Sequence, residues 1–220
     1  MQFLKTKSVP TLWFSSPQRM TFRPPMASAA ALVVGLFLFG LGEAMLVAAN
    51  IGVSPWTVLA QGVVVQTSLT LGQATLALSL CVLALWWPLR QMPGLGTVLN
   101  ALIIAAVLEY VLPYLPRFEV LWGQGLYAIA GVLVTGLGSG IYLIANLGPG
   151  PRDGLMTGLQ IKTGLPIAQV RGGLEISVVL LGWLLGGTAG LGTLLFALGI
   201  GPAVALSLFW LGRFTRTPSL

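Results

Sequence analysis

No histidine occurs anywhere in this chain, and only one cysteine and five acidic residues do. Without histidine the commonest general base and metal ligand is gone, which weakens every hydrolase and metalloenzyme reading. The lone thiol, Cys81, lies in an apolar run; it excludes an internal disulfide and says nothing of redox compartment. Charge is scarce as well. Charged residues are 7% of the chain against 56% apolar, whereas about a quarter of a soluble domain is charged. The chain reads as a membrane protein, and 220 residues suffice for about six spanning helices of about 20 residues each.

What charge there is has a basic excess of +6. Lys5, Lys7, Arg19 and Arg23 precede the first apolar run, and the rest are scattered one or two per loop. A nucleic-acid site would cluster them among polar residues. Residues 1–25 read as a basic cytoplasmic tail, with translation starting at Met1, Met20 or Met26. A cleaved signal peptide fits poorly, because Ala27-Ser28-Ala29 comes before the apolar run rather than after it.

The segment 35–104 recurs without a gap 96 residues later, as 131–200. Gly40-Leu41-Gly42 returns as Gly136-Leu137-Gly138, and Asn50-x-Gly52-x-x-Pro55 as Asn146-x-Gly148-x-x-Pro151. About 26 of the 70 paired positions are identical, more than shared hydrophobicity explains. Two fused copies of one unit are common among transporters.

Six runs read as spans: 27–49, 71–89, 95–115, 124–145, 168–186 and 191–212. Two further apolar segments, 50–70 and 147–167, are broken by Gly, Pro and Thr. If both crossed, the copies would have four helices each and lie parallel. Charge favours six, since cytoplasmic loops are enriched in Lys and Arg. With the N-terminus inside, Arg117 alone of the eleven Lys and Arg falls outside. Three spans per copy then invert the second copy. The expected fold is an all-α polytopic membrane protein of two inverted-topology three-helix repeats: 26–120, then 121–213, with a short cytoplasmic tail at 214–220. Both termini are then cytoplasmic.

After the first span of each copy, Asn50 and Asn146 suit a helix end because Asn tolerates the left-handed cap. Ser54-Pro55 and Gly150-Pro151 then suit a new start, with Pro where its missing N–H costs nothing. A short helix of about ten residues should follow. It either lies flat at the interface or re-enters the membrane, where broken backbone survives only against protein or a water-filled cavity.

The run 146–159, Asn-Leu-Gly-Pro-Gly-Pro-Arg-Asp-Gly-Leu-Met-Thr-Gly-Leu, with Gly-Leu-Gly-Thr-Leu-Leu-Phe-Ala at 190–197 and Asn-Ile-Gly-Val-Ser-Pro-Trp-Thr at 50–57, resembles the YczE/YitT group of bacterial integral membrane proteins. The likeness extends over about residues 30–210. It implies a bacterial cytoplasmic-membrane protein of unassigned activity, and so speaks to fold more than function.

Polar residues in apolar runs mark candidate sites, since a mid-membrane carboxylate costs about 2.5–3.5 kcal/mol. Glu43 and Glu109 lie in the outer halves of the first and third spans, their twins being Ser139 and Ala205. Glu109 is also read as lying near the interface, close to Arg117. Arg152 and Asp153 open the second short helix. Arg171 and Glu175 stand four apart and read as a structural pair. Glycines at 136/140 and 154/158 read as close helix contacts, Gly199-Ile-Gly201-Pro202 as a kink, and Trp56, Trp86, Trp87, Trp122 and Trp210 as interface anchors.

These features point to a small secondary transporter or exporter of a small polar solute, with a slight lean to a cationic or amine-bearing one. Glu43, Asn50, Asn146, Arg152, Asp153 and Glu109 are the candidate substrate- or ion-binding residues. No cofactor or metal is called for. The partners are the solute or ion and the lipid bilayer, with a homo-oligomer compatible and nucleic acid not. The alternative is a membrane accessory or assembly protein without transport activity. A substrate-binding importer subunit needs no inverted repeat, and no catalytic set supports an intramembrane enzyme.

Overall fold

The computed structural model describes residues 9–18 and 21–214. Lys5, Lys7, Arg19, Arg216 and the alternative start Met20 lie outside them. Eight α-helices account for nearly all of the described chain: α1 (Met26–Ala49), α2 (Pro55–Gln66), α3 (Leu71–Trp86), α4 (Leu95–Tyr110), α5 (Leu121–Ala145), α6 (Pro151–Thr163), α7 (Ile167–Leu184) and α8 (Leu191–Phe214). A 3-10 turn, Leu112–Tyr114, extends α4. Five of these elements are long and apolar enough to cross a membrane; α3, with 16 residues, is shorter than the span expected over 71–89, and a sixth is reached only if α2 and α3, bent by 114° at their junction, count together as one broken span.

Local chemistry sets the ends. Asn50 and Asn146 both adopt the left-handed conformation, φ 56° and 57°, as the C-caps of α1 and α5. Two residues on, Gly52 and Gly148 take φ 112° and 111°, backbone that a side chain rarely allows. Thr70 and Gln73 close a reciprocal capping box at the start of α3. Ser54 occupies the N-cap position of α2, yet its hydroxyl does not cap the helix. It is used elsewhere.

Glycines bring α1 and α5 into backbone contact. A Cβ on Gly35 would lie 2.9 Å from the Gly138 carbonyl oxygen, and one on Gly42 would lie 2.5 Å from that of Gly131. Position rises along α1 as it falls along α5, so these two helices run antiparallel. Because Gly35 is the twin of Gly131 and Gly42 of Gly138, the two contacts are images of each other.

The same exchange recurs at the helix ends. The Gly96 N–H, an orphan donor at the start of α4, reaches the Leu147 carbonyl at 2.7 Å; the Gly192 N–H, at the start of α8, reaches Ile51 at 2.8 Å. Each copy thus satisfies the other's turn. Helix α2 packs on α7 and α6 on α3, again as images. Two pairs break the pattern: α4 packs along α3 and meets α6, whereas α8 scarcely touches α7 or α2.

The N-terminal segment does not behave as a detached tail. Leu12 and Phe14 are buried against Ile144, and the Ser16 N–H bonds the Ala145 carbonyl at 3.0 Å. Trp87, Trp122 and Trp210 are exposed as interface anchors should be, but Trp56 and Trp86 are buried. The interface reading fails for those two because each fills a gap between helices: Trp86 lies against Gly154, and its indole N–H donates to the Pro151 carbonyl at 3.0 Å. Helix α8 runs unbroken through Pro202. Gly136 and Gly140 abut Ala203 and Ser207 as close contacts.

Candidate functional site

The two short helices meet nose to nose. The Arg152 guanidinium, in the first turn of α6, lies over the Trp56 ring in the first turn of α2, 5.4 Å from its centroid. The first turns of the two short helices are therefore in side-chain contact. A cation–π contact between a half-buried guanidinium and a buried ring is worth about 0.5–2 kcal/mol.

Beside the stack, Glu43 is fully buried. Its Oε2 accepts from the Ser54 hydroxyl at 2.6 Å and from the Thr57 hydroxyl at 2.7 Å. This is where the N-cap serine of α2 spends its hydroxyl. Hydrogen bonds to a charged group contribute about 1.5–3 kcal/mol each, enough for two to offset the insertion cost of about 2.5–3.5 kcal/mol. Oε1 has no hydrogen-bond partner among the described residues. No cation stands within ion-pair distance of Glu43 there, but Arg152 interacts with it electrostatically, as it does with Asp153 and Glu175.

In the second copy the acid and hydroxyl have changed places. Ser139 stands where Glu43 does, and Asp153 where Thr57 does. Asp153 Oδ2 accepts from the Tyr142 hydroxyl at 2.6 Å. Asn100, buried in α4, brings its amide to Gly150, where an added Cβ would lie 3.1 Å from Nδ2 and 3.3 Å from Asp153 Oδ2.

These groups line a cavity of about 370 Å³ between α4, α5, α6, α7 and α8. Arg152, Asp153, Tyr142, Asn100 and the pair Arg171–Glu175 supply its polar wall, the pair closing at 2.8 Å. Phe39, Ile104, Phe196 and Leu208 supply the apolar one. Across the Trp56–Arg152 stack lies a second pocket of only about 10 Å³, lined by Thr75, Leu78, Ser79 and Val82. Thr75 and Ser79 are the twins of Arg171 and Glu175. Four residues of the small pocket, Trp56, Arg152, Thr75 and Ser79, have twins on the wall of the large cavity, and the rest of that wall has no counterpart in the small pocket.

Of the residues expected at the site, Arg152 and Asp153 line the large cavity. Glu43 is sealed behind it, at one remove. Asn50 is exposed at the end of α1. Asn146 caps α5, and its amide donates to the Ser16 carbonyl at 2.8 Å, so it holds the N-terminal segment. Glu109 stands apart from the cavity, accepting from Thr70. Asn100, Tyr142 and Trp56 enter as residues that sequence reasoning did not single out for the site. The one available signal was the exchange of acid and hydroxyl between twin positions.

Residues 26–208 match the model of a family described as a family of unknown function, DUF6198. An uncharacterized protein of Haemophilus influenzae is 41% identical over 187 residues, 85% of this chain and 86% of the relative. The uncharacterized membrane protein YczE of Bacillus subtilis is 30% identical over 176 residues, 79% of this chain and 82% of the relative. No solved structure matches.

Proposed function

The chain belongs to the DUF6198 family of unknown function, and on that footing we propose that it is a small secondary transporter or exporter in the bacterial cytoplasmic membrane. It works by alternating access between two inverted three-helix repeats, moving a small polar, amine-bearing solute. One observation carries this reading. Pockets of about 370 Å³ and about 10 Å³ both border the Trp56–Arg152 stack, and Arg171 and Glu175 on the wall of the first are the twins of Thr75 and Ser79 on the wall of the second. In a two-fold scaffold, rocking that closes the first opens the second, which is how inverted repeats exchange access. The antiparallel packing of α1 on α5 and the reciprocal bonds of Gly96 and Gly192 support the inverted arrangement.

Charge supports the lean toward an amine. Asp153 and Glu175 on the cavity wall, with Glu43 buried behind it, stand against Arg152 and Arg171, so the cavity and its surroundings carry one more acid than base. The scarcity of contact between α7 and α8 supports a solute path between them, and the packing of α3 on α4 supports a closed path at the twin position.

Paired spin labels test the motion. Positions Gln73 and Tyr110 report on the α3–α4 mouth, and their twins Gln169 and Leu206 on the α7–α8 mouth; all four are exposed. Two distance populations at each mouth, shifting in opposite directions as conditions change, are expected. One fixed distance at both mouths under every condition would end the transport reading and leave an accessory protein.

A further inference from the structure

We infer that the large cavity takes a dipolar solute, one that carries a carboxylate and an ammonium group on an apolar body, as an amphipathic amino acid does. This rests on the transport reading and narrows its substrate to a chemical class.

Part of the charge on the cavity wall is unspent. Arg171 and Glu175 satisfy each other at 2.8 Å, so they offer a solute no free charge. Arg152 and Asp153 do not. No ion pair joins them to each other or to any other described residue, and both open onto the cavity. Arg152 presents a planar fork of donors, held over Trp56, and such forks match carboxylates. Asp153 is fixed by one hydrogen bond from Tyr142 to a single oxygen, which leaves acceptor capacity for an ammonium group. Adjacent positions in the first turn of α6 therefore carry a cation and an anion, each without an ionic partner.

Glu43 cannot do the work of Asp153. It is fully buried behind the stack and absent from the cavity wall. Its charge bears on Arg152 from behind, whereas the solute meets Asp153. The Asn100 amide beside Gly150 adds a donor on the same wall. The rest of the lining is apolar: Phe39, Ile104, Met156, Phe196, Ile200 and Leu208. A few placed polar groups on an apolar wall are what orient a small ligand. A simple cation would leave Arg152 unanswered, and a simple anion would leave Asp153 so.

The test is thermal unfolding of the purified full chain in detergent, with leucine, phenylalanine and methionine as probes. Their N-acetyl derivatives lack the ammonium charge and their methyl esters lack the carboxylate. At least one free amino acid should raise Tm with dose, and both of its derivatives should fail. Asp153→Asn should abolish the preference of the site for the free amine over the N-acetyl form. Arg152→Gln should abolish the preference for the carboxylate over the ester. Derivatives that stabilise as well as the parent amino acids, or no stabilisation by any probe, would overturn the dipolar site. The spin-label distances fail or hold separately. Alternation without dipolar binding leaves transport of another solute class, and dipolar binding without alternation leaves a binding protein.

Discussion

The Arg152 guanidinium rests 5.4 Å from the centre of the Trp56 ring, and these two residues occupy the same position in the two copies of the repeat. Twin residues can touch only where the symmetry axis relating them passes close by. The stack therefore marks the middle of the molecule and lies between the large cavity and the small pocket, lining both.

Removing the ring should breach that division. Thr75 is buried in the small pocket, so Thr75→Cys, in a chain with exposed Cys81 changed to Ser, should react slowly with a small thiol reagent. Adding Trp56→Ala removes a contact worth about 0.5–2 kcal/mol, which corresponds to a rise of roughly two- to thirtyfold in labelling rate. Trp56→Phe should raise it much less. Equal rates in all three would show that the stack divides nothing.

Glu43→Gln should leave the protein folded and inserted, because Gln keeps the shape and still accepts from Ser54 or Thr57. Glu43→Ala should lower stability by about 1–3 kcal/mol for each hydroxyl left without its acceptor. Solute movement should be lost or altered in both. Glu43→Gln behaving as wild type in an uptake or export assay, at equal expression, would remove Glu43 from the site and advance the accessory-protein reading.

Gly138→Ala should destabilise by about 1–3 kcal/mol, since its Cβ would press on the Phe39 amide and lie 2.5 Å from the Gly35 carbonyl oxygen. Gly125→Ala, within α5 and facing open space, should be neutral or stabilising by up to about 1 kcal/mol. Thermal unfolding of the two variants side by side checks this. Equal tolerance at both positions would mean that α1 and α5 are not packed backbone to backbone.

Most of the helices are legible in the sequence because their ends are local chemistry. The left-handed caps at Asn50 and Asn146 and the starts at Pro55 and Pro151 depend on residues within a few positions. The Trp56–Arg152 stack depends on residues 96 apart, and nothing in either neighbourhood announces it. Ser54 shows how tertiary structure overrides a local rule: its position is an N-cap, but a buried carboxylate claims its hydroxyl. Trp86 shows the same for burial, since its place near a helix end suggests an interface while Gly154 opposite makes room for it. The polar wall of the cavity is half legible. Arg152 and Asp153 are conspicuous in an apolar chain, whereas Asn100 and Tyr142 become site residues only when α4 and α5 are folded against α6.

The most direct test of the inverted arrangement uses the twin residues Thr67 and Thr163, both exposed just beyond α2 and at the end of α6. Each is changed to Cys in turn, in the chain with Cys81→Ser, and intact cells or sealed vesicles of known orientation are treated with a membrane-impermeant thiol reagent. Labelling from opposite sides is expected, Thr67→Cys from outside and Thr163→Cys from inside. Labelling of both from the same side would mean two parallel copies, and the account of alternating access built on their inversion would be wrong.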